Sequence, residues 1–198
     1  MKIIKVEFLI KKGPFATSST FKNILDEITK AISTVTHPEG SGQFILNPTR
    51  QANGVVPIKK NFMQSLVGND WRLEHRMSIA SRLKPGPIDA VKKLSDGRYF
   101  SVEWETGNIS SSHRALNKIA IGLLDGVLAG GILVLPSRTM YQYLTDRIGN
   151  YAEIEPYFPV WKNLQIKEGV LAVIEIEHDS LSTAVPTIRK GTDGRVLR

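Results

Sequence analysis

The sequence predicts an α/β fold in which a mixed β-sheet is flanked by helices. Strand-like segments are interleaved along the chain with segments that have helical periodicity. The continuous apolar run 132–135, which a proline ends, is typical of a buried strand, and the largely apolar run 171–176, which contains Glu175, is predicted to be a further strand. Because helices and strands alternate in this way, we expect them to share one layered core.

The first part of the chain is predicted to contain a strand, two helices and a loop. Residues 2–10 alternate charged and apolar side chains and are expected to form a strand or a short helix. Ser18 or Ser19 can cap the helix that follows. The buried face of that helix has five members: Phe21, Ile24, Leu25, Ile28 and Ile32. Residues 36–52 are rich in His, Pro, Gly, Ser and Asn and are predicted to be a loop, and a second helix is expected over 59–75.

A β-hairpin is predicted next, because the turn signal 95–97 (Ser-Asp-Gly) separates two strand-like segments, 87–91 and 99–105. Side chains alternate between the faces of a strand, so Glu103 and Glu105 share one face and the apolar residues between them take the other. If the loop has three residues, Asp89 lies directly opposite Glu103, with their Cβ atoms roughly 5 Å apart. A two-residue turn would instead put Asp89 on the other face.

The carboxylates of Asp89, Glu103 and Glu105 form a candidate metal site. Like charges at such distances repel unless a cation lies among them. Mg²⁺ prefers oxygen ligands, usually one or two carboxylates together with a substrate phosphate, which indicates phosphodiester chemistry. The alternative is that Glu103 and Glu105 form the solvated face of a strand, and the spacing alone favours this alternative, since a single sequence does not fix strand register.

The second half of the chain is predicted to alternate helices and strands. Ser110, Ser111 or Ser112 can cap a helix that reaches to about residue 128. Its buried side carries Leu116, Ile119, Leu123 and Leu124. After the strand 132–135 a helix is expected over 137–148, and the strand 171–176 follows it.

Composition limits the functional classes. The 198 residues are enough for one domain with a substantial core. A net charge of +7 suits a polyanionic partner, nucleic acid before a membrane. The absence of cysteine excludes disulfides and thiolate metal sites and permits a reducing cytoplasm. The N-terminus does not resemble a signal peptide, and Asp125 and several glycines break the longest apolar stretch, so we expect a cytoplasmic protein without a membrane span.

Several strings of residues, in matching order, resemble the BamHI family of type II restriction endonucleases. They are 53–59 (NGVVPIK), 86–89 (GPID), 105–111 (ETGNISS), 113–114 (HR), 117–118 (NK), 143–147 (YLTDR), 155–158 (EPYF) and 190–191 (KG). The resemblance covers about residues 53–194. It implies a nuclease core of the PD-(D/E)xK type, with residues 1–198 as a single restriction endonuclease domain.

The resemblance also assigns roles to four acids. Asp89 and Glu103 would be metal ligands, and the cofactor would be Mg²⁺. Glu105 stands where most of the wider superfamily has lysine, so it would assist the attacking water or bind a second cation. Glu74 would be a fourth catalytic acid and a further metal ligand, although its spacing from Asp89 implies a gap relative to the family.

The residues that would bind DNA by this resemblance are Asn108, Ser110, Arg114, Asp146, Arg147, Lys59 and Gly191. Arginine can donate two hydrogen bonds to guanine, aspartate can accept from cytosine N4, and asparagine can bridge an acceptor and a donor. Without the resemblance, Asn108 and Ser110 would be interpreted as helix-capping residues. Asp146 and Arg147 would be a solvated charge pair at the end of a helix.

The resemblance therefore implies a homodimer that makes Mg²⁺-dependent cuts in double-stranded DNA at a palindrome, GGATCC, leaving 5′-phosphate ends. The helices near 111–128 and 137–148 would form the dimer interface, and a cognate DNA methyltransferase would protect the host. The basic segment 189–198 is predicted to be a flexible arm that becomes ordered on DNA. A junction resolvase on the same core and a non-catalytic DNA-binding protein remain alternatives.

Overall fold

A six-stranded mixed sheet lies at the centre of the protein. The computed structural model describes residues 1–79, 86–145 and 147–190. The described strands are β1 (Lys2–Lys12), β2 (Ile45–Leu46), β3 (Arg72–Arg76), β4 (Pro87–Lys93), β5 (Tyr99–Trp104), β6 (Leu128–Pro136), β7 (Gly169–Glu177) and β8 (Ser180–Leu181). The described helices are α1 (Ser19–Ser33), α2 (Val56–Val67), α3 (Ile109–Leu124), α4 (Arg138–Tyr141), α5 (Tyr151–Ile154) and α6 (Phe158–Lys162), with 3₁₀ turns at Pro14–Thr17 and Glu155–Tyr157.

The strand order in the sheet is β1–β7–β6–β5–β4–β3. Strands β5, β6 and β7 are parallel to one another, whereas β1, β4 and β3 pair antiparallel with their neighbours. The predicted mixed sheet is therefore confirmed. Every residue of β6 is buried, which explains why its sequence is continuously apolar. The short strand β2 interrupts the loop predicted over 36–52 and forms a small parallel pair with β8.

Helices cover both faces of the sheet. On one face, α1 and α2 pack with Phe100 and Trp104 of β5. On the other face, α3, α5 and α6 pack against Leu133 of β6. Because side chains alternate along β5, Glu103 points to the side of α3. The predicted division of this strand into an apolar face and an acidic face is confirmed.

Two helices are shorter than the sequence predicts. The helix expected over 59–75 corresponds to α2, which ends at Val67. The chain then turns at Asp70, whose φ of 61° is left-handed, and enters the edge strand β3. The helix expected over 137–148 is only the single turn α4, because Leu144 forms an isolated parallel bridge with Asn53 instead. In both cases the chain leaves the helix to pair with another segment: β3 pairs with β4, and Leu144 pairs with Asn53.

The other elements follow the predictions more closely. Residues 2–10 form a strand, since their backbone pairs with β7. Ser18 caps α1 by accepting a backbone N–H at 3.1 Å. Helix α3 ends at Leu124 rather than near 128, and its N-cap is Asn108 instead of one of the predicted serines. Leu116, Ile119 and Leu123 are buried as predicted, but the prediction that Leu124 is buried is wrong, since it lies at the end of the helix and is 58% exposed. No helix in the described ranges is long and apolar enough to cross a membrane.

Candidate active site

The β4–β5 hairpin has the three-residue loop on which the candidate site depends. The Leu94 N–H donates to the carbonyl of Arg98 at 2.8 Å, and Gly97 has a left-handed φ of 88°. Ala90 pairs with Val102. Continued by one residue, this register sets Asp89 opposite Glu103.

The two facing acids are held by backbone donors of the opposite strand. Oδ2 of Asp89 accepts from the Trp104 N–H at 2.8 Å, and Oε2 of Glu103 accepts from the Asp89 N–H at 3.3 Å. These bonds lie where the β4–β5 ladder opens. The carboxylates therefore accept hydrogen bonds from backbone N–H groups that would otherwise lack a partner in a half-buried position.

Two lysines, one from each face of the sheet, contact this pair. Nζ of Lys59, in α2, lies 2.5 Å from Oδ1 of Asp89. Nζ of Lys118, in α3, lies 3.1 Å from Oε1 of Glu103 and also donates to the Pro87 carbonyl at 3.1 Å. Sequence reasoning missed the contact of Lys118 with Glu103. The signal was its spacing, since Ser110, Arg114 and Lys118 follow one another at four-residue intervals on one side of a helix.

Glu105 lies just beyond β5 and is bound by neutral donors. Ser112 Oγ donates to its Oε2 at 2.6 Å, and the Gly107 N–H donates to its Oε1 at 2.5 Å. Glu105 is only 6% exposed and Glu103 only 9%. The alternative interpretation of these two glutamates as a solvated strand face is therefore wrong.

Burial makes the ionised forms of Glu103 and Glu105 costly despite the two lysines. Burial and the negative charge of Asp89 raise the pKa of Glu103 to about 7, although Lys118 opposes the change. Burial also raises the pKa of Glu105, against the hydrogen bonds from Ser112 and Gly107. A bound cation would lower both pKa values by favouring the ionised forms.

The donor chemistry of Asp89 and Glu103 fits Mg²⁺, which is held by one or two carboxylates and completes its shell with water and phosphate oxygens. Within residues 1–79, 86–145 and 147–190, no three His, Asp or Glu side chains converge closely enough to hold a metal ion by themselves. A metal at this pair would therefore take further ligands from solvent or substrate.

Glu74 lies in the edge strand β3, in the same row as the acidic pair. Leu73 pairs with Ala90 and His75 with Ile88, so the intervening Glu74 falls across from Asp89. Its backbone has a left-handed φ of 49°, and its side chain is 61% exposed. Oε1 of Glu74 lies 3.9 Å from Nζ of Lys59, which thus joins Glu74 to Asp89.

Asp89, Glu103 and Glu105 line a cleft of about 780 Å³ together with part of α3. Its chemically active lining residues are Lys59, Asp89, Glu103, Glu105, Ser110, Arg114 and Lys118. Ser110 and Arg114 are exposed to solvent. The Asn108 side chain accepts from the Ser111 N–H at 3.3 Å as the N-cap of α3, so the capping interpretation of Asn108 holds alongside any role on DNA.

Arg147 is flanked on both sides by backbone hydrogen bonds to other segments. Its φ of 72° is left-handed, which is uncommon for a large side chain. Before it, the Thr145 N–H donates to the Asn53 carbonyl at 2.8 Å, and after it, the Gly149 N–H donates to the Gly107 carbonyl at 2.8 Å. Asp146, Gly191 and the remainder of the predicted basic arm lie outside the described residues.

Known proteins with similar sequences are restriction enzymes. Residues 1–195 match the family described as Restriction endonuclease BamHI, a longer match than the strings of residues indicate. The chain is 52% identical to the Type II restriction enzyme OkrAI of Oceanobacter kriegii over 198 residues, which cover 100% of both chains. It is 36% identical to the Type II restriction enzyme BamHI of Bacillus amyloliquefaciens over 181 residues, which cover 87% of this chain and 82% of the relative.

Solved structures of similar fold include the restriction endonuclease BglII. The match to BglII complexed with a DNA 16-mer has a TM-score of 0.67 and 11% identity, and covers 90% of this chain and 79% of that one. The match to free BglII has a TM-score of 0.55 and 11% identity, and covers 90% and 81%. At this identity the likeness shows the fold, so the mixed sheet and its helices form a restriction endonuclease fold.

Proposed function

Because the chain belongs to the BamHI family of restriction endonucleases and is a type II site-specific deoxyribonuclease, we propose that it cuts both strands of a DNA palindrome in a Mg²⁺-dependent reaction. The target is GGATCC and the products carry 5′-phosphate ends. The observation that carries this proposal is the facing pair Asp89 and Glu103, in a cleft with Arg114 and two lysines. Burial and the neighbouring Asp89 raise the pKa of Glu103, and a cation bound at the pair would favour its ionised form.

Each acid has a distinct role in the proposed reaction. Asp89 and Glu103 would hold Mg²⁺, and the exposed Glu74, which does not converge with them in the described structure, would have to approach them to add a ligand from the edge strand. When bound, the ion polarises the scissile phosphate and lowers the pKa of a water molecule. Glu105, whose two oxygens are fixed by neutral donors, orients the attacking water at the side of the pair. Lys59 and Lys118 would offset the charge of the acids before substrate arrives, and Lys59 would then contact a phosphate of the DNA.

The proposed target rests on the residues that would contact bases. Ser110 and Arg114 lie on the exposed side of α3 that also lines the cleft, and Arg147 lies between the backbone hydrogen bonds of Thr145 and Gly149. Arginine recognises guanine through O6 and N7, which the two G·C pairs of each half-site offer. Asn108 and Asp146 complete the set, with Gly191 as a contact to the backbone of the DNA. A cytoplasmic location beside a cognate methyltransferase is part of this proposal.

A palindrome requires a twofold-symmetric reader, so we propose that the protein acts as a homodimer. A surface of exposed apolar side chains suits a second copy: Leu124 is 58% exposed, Tyr157 49% and Val160 62%. Leu124 lies on the same side of α3 as His113, whose ring contacts that of Tyr157 at 4.5 Å. This surface is formed by α3 and residues 155–162. The helix expected over 137–148 is only the four-residue α4, which is too short to serve as the second interface element.

The proposed function is tested by incubating the protein with plasmid DNA and Mg²⁺ and sequencing the product ends. We expect double-strand cuts at GGATCC, none with EDTA, and none with Glu103→Gln. Faster cutting of a four-way junction than of any linear duplex would indicate a resolvase instead. Binding of plasmid without any Mg²⁺-dependent cleavage would indicate a non-catalytic DNA-binding protein, and either result would contradict the proposal.

A further inference from the structure

We propose that Ser112 is a positioning residue for Glu105. We also propose that Gly149 connects Ser112 to the segment that carries Arg147. The proposal rests on the proposed function, in which Glu105 orients the attacking water and Arg147 contacts a base. It specifies which contacts link recognition of the correct DNA sequence to the position of the Glu105 carboxylate.

The Ser112 hydroxyl is built into the site. Its side chain lies on α3 and is fully buried at 0% exposure, and Oγ donates to Oε2 of Glu105 at 2.6 Å. The Gly107 N–H donates to the other oxygen, Oε1, at 2.5 Å. Two donors on two oxygens fix both the position and the plane of the carboxylate, which neither donor could do alone.

Gly149 lies against both residues that supply these donors. Its N–H donates to the Gly107 carbonyl at 2.8 Å, so it holds the peptide chain that supplies one donor. A Cβ on Gly149 would lie 2.4 Å from Oγ of Ser112, so its missing side chain makes room for the other donor. Gly107 is similarly confined, since a Cβ there would lie 3.1 Å from Oε1 of Glu105.

The connection to DNA recognition is short. Arg147 precedes Gly149 by two residues and has a left-handed backbone, and Asn108 directly follows Gly107. A movement of Arg147 on contact with a base would therefore move Gly149, which packs on Ser112. A movement of Asn108 would likewise move Gly107, whose N–H donates to Glu105. Binding of the correct sequence can in this way complete the geometry of the acid, as in enzymes whose specificity depends on assembling the site.

The test compares Ser112→Ala, Gly149→Ala and the double variant with wild type. Ser101→Ala is the matched control, because Ser101 is also a fully buried serine beside a glycine: a Cβ on Gly131 would lie 2.4 Å from its Oγ. The Ser101 hydroxyl donates to the Gly130 carbonyl at 3.5 Å and not to an acid. The measurements are kcat and KM on a GGATCC duplex, the same rates on a duplex with one altered base pair, and the melting temperature.

We expect Ser112→Ala and Gly149→Ala each to lower kcat by about 10- to 100-fold, the loss that follows a displacement of about 1 Å at a reacting group. KM and the melting temperature should stay close to those of Ser101→Ala. The rate on the cognate duplex should fall more than the rate on the altered duplex, so discrimination decreases. The double variant should lose no more than the worse single variant, because both changes act on one contact.

Effects on kcat that match those of Ser101→Ala, or losses that multiply in the double variant, would overturn the inference. If one single variant does not fold at the assay temperature, the other decides by the same criterion. Glu105→Gln separates this inference from the proposed function. If Glu105→Gln cuts like wild type, the proposed role of the acid fails, whereas an inactive Glu105→Gln with a fully active Ser112→Ala refutes only the positioning role.

Discussion

Replacement of Glu103 by glutamine should stabilise the fold at neutral and alkaline pH while it abolishes cleavage. Glutamine has the shape of the protonated acid and no charge, so it removes the repulsion by Asp89 and the cost of burying a carboxylate. Burial first, and then Asp89, raise the pKa of Glu103 from 4.5 to about 7. That difference sets both the pH range and the size of the effect.

The sign of the effect follows from proton binding. Below pH 4.5 the acid is protonated in both the folded and the unfolded chain, so it adds no pH dependence to stability. Between pH 4.5 and about 7 the folded protein retains a proton that the unfolded chain has lost, so the stability of wild type falls as pH rises. With 1.36 kcal/mol for each tenfold change in the ionisation constant, the loss is complete above pH 7 at about 3 kcal/mol.

The assay is urea unfolding of wild type and Glu103→Gln at a series of pH values in EDTA. The difference in unfolding free energy between the two proteins should grow by about 3 kcal/mol in favour of the variant as pH rises across this range. Glu177→Gln is a control of opposite sign. Although burial opposes it, hydrogen bonds from His178 and Ser137 lower the pKa of Glu177, so that variant should lose stability above pH 4.5 and recover relative to wild type as pH falls. A difference for Glu103→Gln that does not vary with pH would refute the electrostatic argument.

Three further predictions concern the metal, the base contact and the dimer. Asp89→Asn should abolish cleavage yet bind the cognate duplex as tightly as wild type or more tightly in Ca²⁺, because a negative charge facing phosphate is lost; cleavage near the wild-type rate would remove Asp89 from the site. Arg147→Ala should lower discrimination at one base pair by about 1–3 kcal/mol, measured by competition between duplexes, and unchanged specificity would exclude a bidentate contact. Val160→Asp should shift the protein toward monomer in sedimentation and slow cleavage, whereas Val67→Asp should do neither, because Val67 is also exposed (53% against 62%) but lies on α2, away from the proposed interface.

The hairpin is the part of the site that the sequence predicts best. Asp-Gly and the alternation of acids with apolar residues are local signals, and they determine the loop and the two faces of β5. The register still required a choice, since a loop shorter by one residue moves Asp89 to the wrong face. In the structure, the hydrogen bond from the Leu94 N–H to the Arg98 carbonyl and the left-handed φ of Gly97 define the three-residue loop.

What the sequence does not predict depends on packing between distant segments. β3 has no alternating pattern and forms because its backbone pairs with β4, so local periodicity alone predicts a helix that continues to residue 75. The ends of α4 depend on the bridge between Asn53 and Leu144. Four-residue spacing places Lys118 on the same side of α3 as Ser110 and Arg114, but the contacts of Ser112 and Lys118 with particular acids also depend on the angle at which α3 crosses the sheet.

The position of β3 at the edge of the sheet has a consequence for how activity responds to heat. Edge strands open by local fluctuations that cost less free energy than unfolding of the whole domain. Glu74 belongs to this strand, whereas Asp89 and Glu103 are secured between β3 and the buried β6. Detachment of β3 would withdraw one proposed metal ligand while the other two stayed in place. Cleavage would then be lost reversibly at temperatures where circular dichroism still reports a folded protein, and amide hydrogens of β3 would exchange faster than those of β6.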